Sequence, residues 1–427
     1  RIGPTPWEAP PVTRIDPVFS AVHESATLAI NERARRMRAA GRTVHHFGFG
    51  ESPFPVPAPM REALIAHAGE KSYLPCEGLP ALRHAAARFL TEERGTPFSP
   101  AEIFVGPGSK ELLYDLFAIL EGPVLVPAPA WVSYGPQATL LRKRFVPIPT
   151  RREHGYRLQA EDLRDTCRHH DGQKLLVLNS PGNPTGTIHD RATLAALAEV
   201  CREEDVIVIA DEIYALIDFR RTEPVSMAEL LPERTIVTTG LSKMFAAGGW
   251  RLGIAAVPEA LGAVHAPLRA MISETFSAVA APIQHAAIPA FEYGPEIRAH
   301  VERAAEIHGA ASSYVHGRFL DMGLDCPTPE GAFYLFPDFQ RMRARLARCG
   351  IEDSVTLCAR LLDEAQLALL PGEAFFTAGT NLAVRAAAVD FDGERLLASY
   401  QSDASAERQF PRLVAGCDAL QRFLEHL

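Results

Sequence analysis

Between about Glu102 and Val257 short apolar, β-branched runs alternate with stretches of helical periodicity, the pattern of βαβ units around a largely parallel sheet. Three runs are nearly continuous: KLLVLN (Lys174 to Asn179), VIVIA (Val206 to Ala210) and TIVTT (Thr235 to Thr239). A strand covered by helices on both faces has no wet side, so unbroken apolarity predicts buried central strands. Each run ends abruptly in polar residues. Ligands of open α/β sheets bind beyond the carboxyl ends of the strands, so the residues after these runs are expected to border one crevice.

Further along, the pattern changes. Gly294 to Gly323 reads as a long amphipathic helix, EGAFYLFPDF as a strand, and more helices follow. Near the start, ATLAINERARRMRAAG is a helical pattern that precedes the turn GFGESPFPVP. The expected organisation is α/β in two domains. Residues 1–48 form an N-terminal arm and part of a small domain, 49–294 a large domain on a mostly parallel sheet, and 295–427 the rest of a smaller α/β domain.

Composition agrees and narrows the class. At 427 residues the chain exceeds the ~250–300 at which single cores stop growing. With 43 Lys+Arg against 52 Asp+Glu, net −9, a nucleic-acid groove or an anionic membrane surface is not the expected partner; small molecules are. The seven cysteines are scattered and never spaced as CxxC, so neither a disulfide framework nor a metal site is indicated. The opening RIGPTPWEAPPVTRIDPVF reads as a proline-rich arm rather than a signal peptide, and charge-free stretches such as Gly122 to Leu141 are interrupted by prolines. A cytoplasmic location is expected.

The candidate chemistry lies at the strand ends. After the first run comes SPGNPTG with Asn183, after the second DEIY with Asp211 and Tyr214, and after the third Ser242 and Lys243, with Arg251 eight positions on (251 − 243). Each has a plainer reading: Asn-Pro and Gly mark ordinary turns, Asp211 could cap a helix, and a lone lysine is usually solvated. Together they gather an acid, a phenol, an amide, a hydroxyl, an amine and a guanidinium, an inventory that fits pyridoxal phosphate. A desolvated lysine forms a Schiff base with a carbonyl, a carboxylate keeps a pyridine nitrogen protonated, and a guanidinium forks onto a phosphate. Upstream, IFVGPGSKELL sets Ser109 and Lys110 where glycines open a helix, a second anion site. It is not a P-loop, whose first glycine would stand elsewhere, and GFG at Gly48 to Gly50 is too short for a dinucleotide fingerprint. Trp131 in PAPAWVSYGP suits either core or a plate on an aromatic ring. Arg385, amid apolar residues in NLAVRAAAVDFDG, calls for an anion.

In this order, the motifs SATLAINERARRMRAAG, FGFGESPFPVP, YLPCEGLPALRHAAARFL, GPGSK, AWVSY, NSPGNPTG, ADEIY, SKMFAAGGWRLG, EGAFYLFPDF, LLPGEAFF and VRAAA resemble the class I/II aminotransferases. These are fold-type-I pyridoxal phosphate enzymes of the aspartate aminotransferase superfamily, and the resemblance covers nearly the whole chain. It implies amino-group transfer between an L-amino acid and a 2-oxo acid by a ping-pong cycle, with Lys243 carrying the Schiff base and shuttling the proton. It further implies that Asp211 pairs with the pyridine nitrogen, that Tyr214 and Asn183 bond the ring hydroxyl oxygen, and that Trp131 stacks on the ring. Ser109, Lys110, Ser242 and Arg251 would hold the phosphate, with Tyr73 reaching that of the neighbouring subunit in a homodimer. Gly50, Asn183 and Arg385 would bind the substrate carboxylate. The alternatives are a lyase, cyclase, decarboxylase or oxidase on the same cofactor, or a non-catalytic binder.

Departures from the family pattern cluster near the substrate mouth: alanine after Arg385, alanine before Gly248, and His23-Glu24 in place of a lysine-proline pair. The side-chain preference is therefore not carried over; Lys110, Arg142 and His23 are the candidate cations for an acidic substrate.

Overall fold

The computed structural model describes residues 14–20, 22, 26–220 and 225–427, so most of the proline-rich arm and the His23-Glu24 pair lie outside the described residues. A helix, Ala26–Ala39, leads into the short strand β1 (His45–His46). Seven strands follow: β2 (Ile103–Gly106), β3 (Val124–Ala128), β4 (Phe145–Pro149), β5 (Lys174–Asn179), β6 (Val206–Asp211), β7 (Thr235–Gly240) and β8 (Gly253–Ala256). They form one sheet in the order β2-β8-β7-β6-β5-β3-β4, parallel except for β8, which runs antiparallel to both its neighbours.

The three apolar runs are β5, β6 and β7, adjacent in the sheet. Their side chains alternate between two separate cores. Leu176, Leu178, Val208, Ala210 and Val237 pack on one face, and Leu175, Val177, Ile207, Ile209 and Ile236 on the other. The period of two is present, but both faces are dry, so hydropathy hides it.

The remaining strands are short: β9 (Tyr334–Leu335), β10 (Leu367–Ala368), β11 (Leu370–Pro371) and β12 (Val384–Ala387). The order β11-β12-β9 makes an antiparallel three-stranded sheet, while β1 pairs in parallel with β10. EGAFYLFPDF, expected as one strand, is extended only at Tyr334–Leu335 apart from isolated bridges at Gly331 and Asp338. Ala332 takes a φ of 57°, and Pro337 has no N–H to donate, so the ladder stops on both sides. The long helix Pro295–Asp321 matches the expected amphipathic stretch and packs Ile307, Ala311, Val315 and Phe319 into a third core with Phe47, Leu335 and Val384. Among the described residues no helix is long and apolar enough to cross a membrane.

Candidate active site

The carboxyl ends of β5, β6 and β7 open on a cavity of about 600 Å³. Its lining unites Gly50, Ser109, Lys110, Trp131, Asn183, Asp211, Tyr214, Ser242, Lys243, Arg251 and Arg385, every residue expected at the site but one. The exception is Tyr73, which is 94% exposed and lines no part of it.

Asp211 is the last residue of β6, in register with Asn179 of β5 and Thr238 of β7. The Asn179 amide donates to its backbone oxygen at 2.8 Å, and the Tyr134 hydroxyl donates to Oδ2 at 2.6 Å. The other carboxylate oxygen, Oδ1, is buried and has no hydrogen-bond partner among the described residues. Burial pushes the Asp211 carboxyl up to about 6, against the pull of the Tyr134 hydroxyl and the Ile213 N–H. Its neighbour Glu212 is equally buried but satisfied: Arg94 Nε lies 3.1 Å away and the Ser226 hydroxyl also donates to it.

Lys243 follows β7, and its Nζ donates to the Gly50 carbonyl oxygen while standing 5.9 Å from the Tyr214 ring centre and 5.8 Å from that of Phe333. The Tyr214 hydroxyl shares a 2.9 Å hydrogen bond with that of Tyr334, and burial raises the Tyr214 pKa well above its ordinary value. Gly50 has no room for a side chain, since a Cβ would meet the Tyr334 hydroxyl at 2.0 Å.

Beyond Lys243 the turn Gly248–Trp250 brings Arg251 back, with Nη1 donating to Gly248 O at 3.0 Å and standing 3.5 Å from Ser242 Oγ. Nη2 lies 3.3 Å from Pro107 O, so the guanidinium sits at the start of the helix Ser109–Ile119. Gly108 caps that helix at φ 94°, and a Cβ there would come within 2.3 Å of Arg251 Nη2. Free N–H groups at a helix start beside a guanidinium make an anion cradle. Lys110 Nζ lies 5.1 Å over the Trp131 ring; burial lowers its pKa, with the charges of Arg251 and Lys243 adding to the effect.

Arg385, on β12, is 2% exposed. Among the described residues its acceptors are neutral oxygens, Gly48 O at 2.6 Å and Asn183 Oδ1 at 3.2 Å, and Nε has none. The guanidinium stacks over Tyr334 at 4.6 Å and Phe375 at 5.2 Å, and burial lowers its pKa. A buried cation without an anion is costly unless a ligand supplies one. Of the other candidate cations, Arg142 pairs with Asp16 and does not line the cavity, and His23 lies outside the described residues.

Sequence reasoning gave no role to Tyr134, Tyr334 or Asn179. Asn179 was the most findable, as the polar terminus of an apolar run. Tyr134, three residues after Trp131, and Tyr334, inside an aromatic strand pattern, are indistinguishable in sequence from core aromatics.

The donor set tests the cofactor expectation. The unpartnered Asp211 oxygen needs a donor such as a pyridinium N–H, the cradle at Ser109 and Arg251 needs an anion such as a phosphate, and Trp131 offers a flat apolar face. The residues fit pyridoxal 5′-phosphate. A largely parallel sheet with a buried acid ending one strand and a lysine after the next is the fold-type-I pyridoxal phosphate class. Within it, the family model for aminotransferase class I and II matches residues 43–391, and the chain belongs to that family.

It is 35% identical to the aspartate aminotransferase of Geobacillus stearothermophilus over 360 residues, 82% of this chain and 89% of that enzyme. It is 33% identical to a probable aspartate/prephenate aminotransferase of Aquifex aeolicus over 374 residues, 84% and 91% of the two chains. The structure of the Thermus thermophilus aspartate aminotransferase with maleate superposes with a TM-score of 0.83 at 29% identity, over 96% of this chain and 100% of that one. The protein is a pyridoxal-phosphate-dependent aminotransferase, acting on amino-acid and 2-oxo-acid substrates.

Proposed function

We propose that the enzyme moves the amino group between an acidic L-amino acid and a 2-oxo acid in a ping-pong cycle, and that Lys110 selects the second carboxylate. The carrying observation is the set of cations that line the cavity among the described residues. Lys243 is the reacting amine, Arg251 serves the phosphate and Arg385 the α-carboxylate; Lys110, expected at the phosphate, stands with its Nζ over the Trp131 ring, where we assign it to a further anion. The named relatives support this reading: aspartate and prephenate each carry a second carboxylate, and the Thermus enzyme was solved with the dicarboxylate maleate.

When bound, pyridoxal phosphate supplies an aldehyde that takes up the amino group and a pyridinium ring that withdraws electrons from the α-carbon. Lys243 Nζ then has one task, to hold and move the proton leaving that carbon, and its tether to Gly50 O keeps it in place. Asp211 holds the ring nitrogen, Trp131 covers the ring, and Asn183 and Tyr214 orient the ring oxygen. Arg251, Ser242, Ser109 and the helix start fix the phosphate. Arg385 and the Gly50 backbone orient the substrate so that the α-hydrogen faces Lys243. The 94% exposure of Tyr73 suits an aromatic that docks in a second subunit, so we infer a homodimer with shared sites. The seven free cysteines suit a reducing compartment, from which we infer the cytoplasm.

Single-turnover half-reactions with aspartate, glutamate, phenylalanine and alanine test the proposal. Aspartate or glutamate should react with the highest kcat/KM, and Lys110→Ala should cost them about 10–100-fold, the scale of one charge-assisted contact, while sparing alanine. A preference for phenylalanine or alanine that survives Lys110→Ala overturns it.

A further inference from the structure

We propose that Tyr134 is a positioning residue that keeps Asp211 ionised and aims its free oxygen at the cofactor's ring nitrogen, while holding Trp131 edge-on in the same cavity. The proposal rests on the assignment of Asp211 to the ring nitrogen. Tyr134 begins the helix Tyr134–Leu140, is 1% exposed, and donates its hydroxyl to Asp211 Oδ2 at 2.6 Å. Its ring meets that of Trp131 edge to face, centres 5.1 Å apart and planes at 83°. One side chain therefore touches both the acid and the aromatic plate.

The need for such a residue follows from what else surrounds Asp211. The carboxylate is buried among apolar strands, a setting that favours its neutral form. Next to it stands Glu212, a like charge whose own partners, Arg94 and Ser226, lie on its own side. Tyr214 brings a neutral phenol, and Lys243 is the one cation among the groups acting on Asp211. In transamination the Lys243 amine must be free to accept a proton, so its charge is not a constant support. The remaining stabilisers are the Ile213 N–H and the Tyr134 O–H, and of these only the hydroxyl belongs to a side chain. A protonated Asp211 could not keep a pyridine nitrogen charged, because both would then be donors.

The geometry also divides the labour between the two carboxylate oxygens. With Oδ2 engaged by the phenol, Oδ1 is left unpartnered at the cavity. Without the phenol the carboxyl could turn, and either oxygen could face inwards. Burial also raises the pKa of Tyr134 itself well above its ordinary value, so across the working pH range it stays a donor.

The test uses the apoenzyme and two probes: pyridoxal phosphate, and its 1-deaza analogue, in which a carbon replaces the ring nitrogen. Dissociation constants are measured by fluorescence quenching as a function of pH for the wild type, Tyr134→Phe, Asp211→Asn and the double variant. The wild type should prefer pyridoxal phosphate over the analogue. Tyr134→Phe should cut that preference about tenfold at neutral pH, the scale of one hydrogen bond to a charged group, and should move its loss to higher pH. Binding of the analogue should be unchanged, which a general packing defect would not spare. In the Asp211→Asn background the phenylalanine should add nothing.

If Tyr134→Phe retains the preference, or weakens both probes equally, the positioning role is overturned while the assignment of Asp211 stands. If the wild type shows no preference at all, that assignment fails first, and the two failures are distinguishable.

Discussion

The two walls of the cavity are built on different principles. On the large sheet, Asn179 and Asp211 end neighbouring strands in register, and Lys243 follows the next strand over, so chain order and parallel pairing alone bring them together. On the other wall Arg385 sits in a four-residue strand, and its acceptors come from Asn183, 202 residues away, and Gly48, 337 residues away. The first wall is fixed by one sheet; the second exists only when separate parts of the chain close on each other. The cofactor side should therefore govern chemistry, and the Arg385 side should govern substrate capture.

The largest effect expected is on the first wall. Lys243→Ala should lower turnover by on the order of 10⁴-fold, the upper range for removing a proton-transfer group, with the melting temperature nearly unchanged. Steady-state kinetics and thermal melts report the two separately. Turnover within tenfold of wild type would mean that the strand-end wall does not carry the chemistry.

Next comes the support behind that wall. Arg94→Met leaves Glu212 buried without its cation, a loss of about 3–5 kcal/mol in denaturant unfolding. Activity per folded molecule should persist, because Glu212 points to Arg94 and Ser226 and does not line the cavity. If activity falls in step with pyridoxal phosphate affinity, Asp211 and Glu212 are not the independent neighbours their partners indicate.

On the second wall, Arg385→Lys should lower kcat/KM for the amino acid about 10–100-fold, since a point charge replaces a fork held between Gly48, Asn183 and the Tyr334 ring. Pyridoxal phosphate affinity, measured on the apoenzyme, should stay within a few-fold. Equal losses in both would erase the distinction between the walls.

What was readable in the sequence follows the same division. The runs ending at Asn179, Ala210 and Thr239 announced both the central strands and the crevice, because a strand buried on both faces has a signature needing no partner. The pairing of Arg251 with Ser242 was legible through the family resemblance, and the contact that realises it spans only nine residues. Tyr334 and the Gly48 carbonyl were not: their roles depend on contacts across the fold, and an aromatic in EGAFYLFPDF carries no mark of whether its hydroxyl meets Tyr214 or solvent. The same stretch reads in sequence as one strand because apolar alternation does not register the left-handed turn at Ala332.

The smallest kinetic effect separates a buried acid that serves the cavity from one that does not. Asp115 lies inside the helix Ser109–Ile119, is 0% exposed, and neither carboxylate oxygen has a hydrogen-bond partner among the described residues. It does not line the cavity. Burial pushes its carboxyl up to about 7, with Glu111 adding to the rise. Because the folded value lies above the unfolded one, the native state retains a proton that the unfolded chain has released. Stability is therefore lost as pH rises from about 4 to about 7 and is level beyond. Asp115→Asn removes that dependence. Its advantage should be near zero at pH 4, grow through the window, and reach at most about 4 kcal/mol at pH 8, about 1.4 kcal/mol for each unit by which the carboxyl is raised. Kinetic constants should not change. Asp211, whose carboxyl is raised for the same reason, differs in the outcome: its replacement by asparagine should also relieve the unfolding penalty but destroy turnover. Denaturant unfolding of both variants across pH, paired with half-reaction rates, separates the two acids; an Asp115→Asn enzyme that is no more stable at pH 8 than at pH 4 relative to wild type would show that this carboxyl finds a partner in solution.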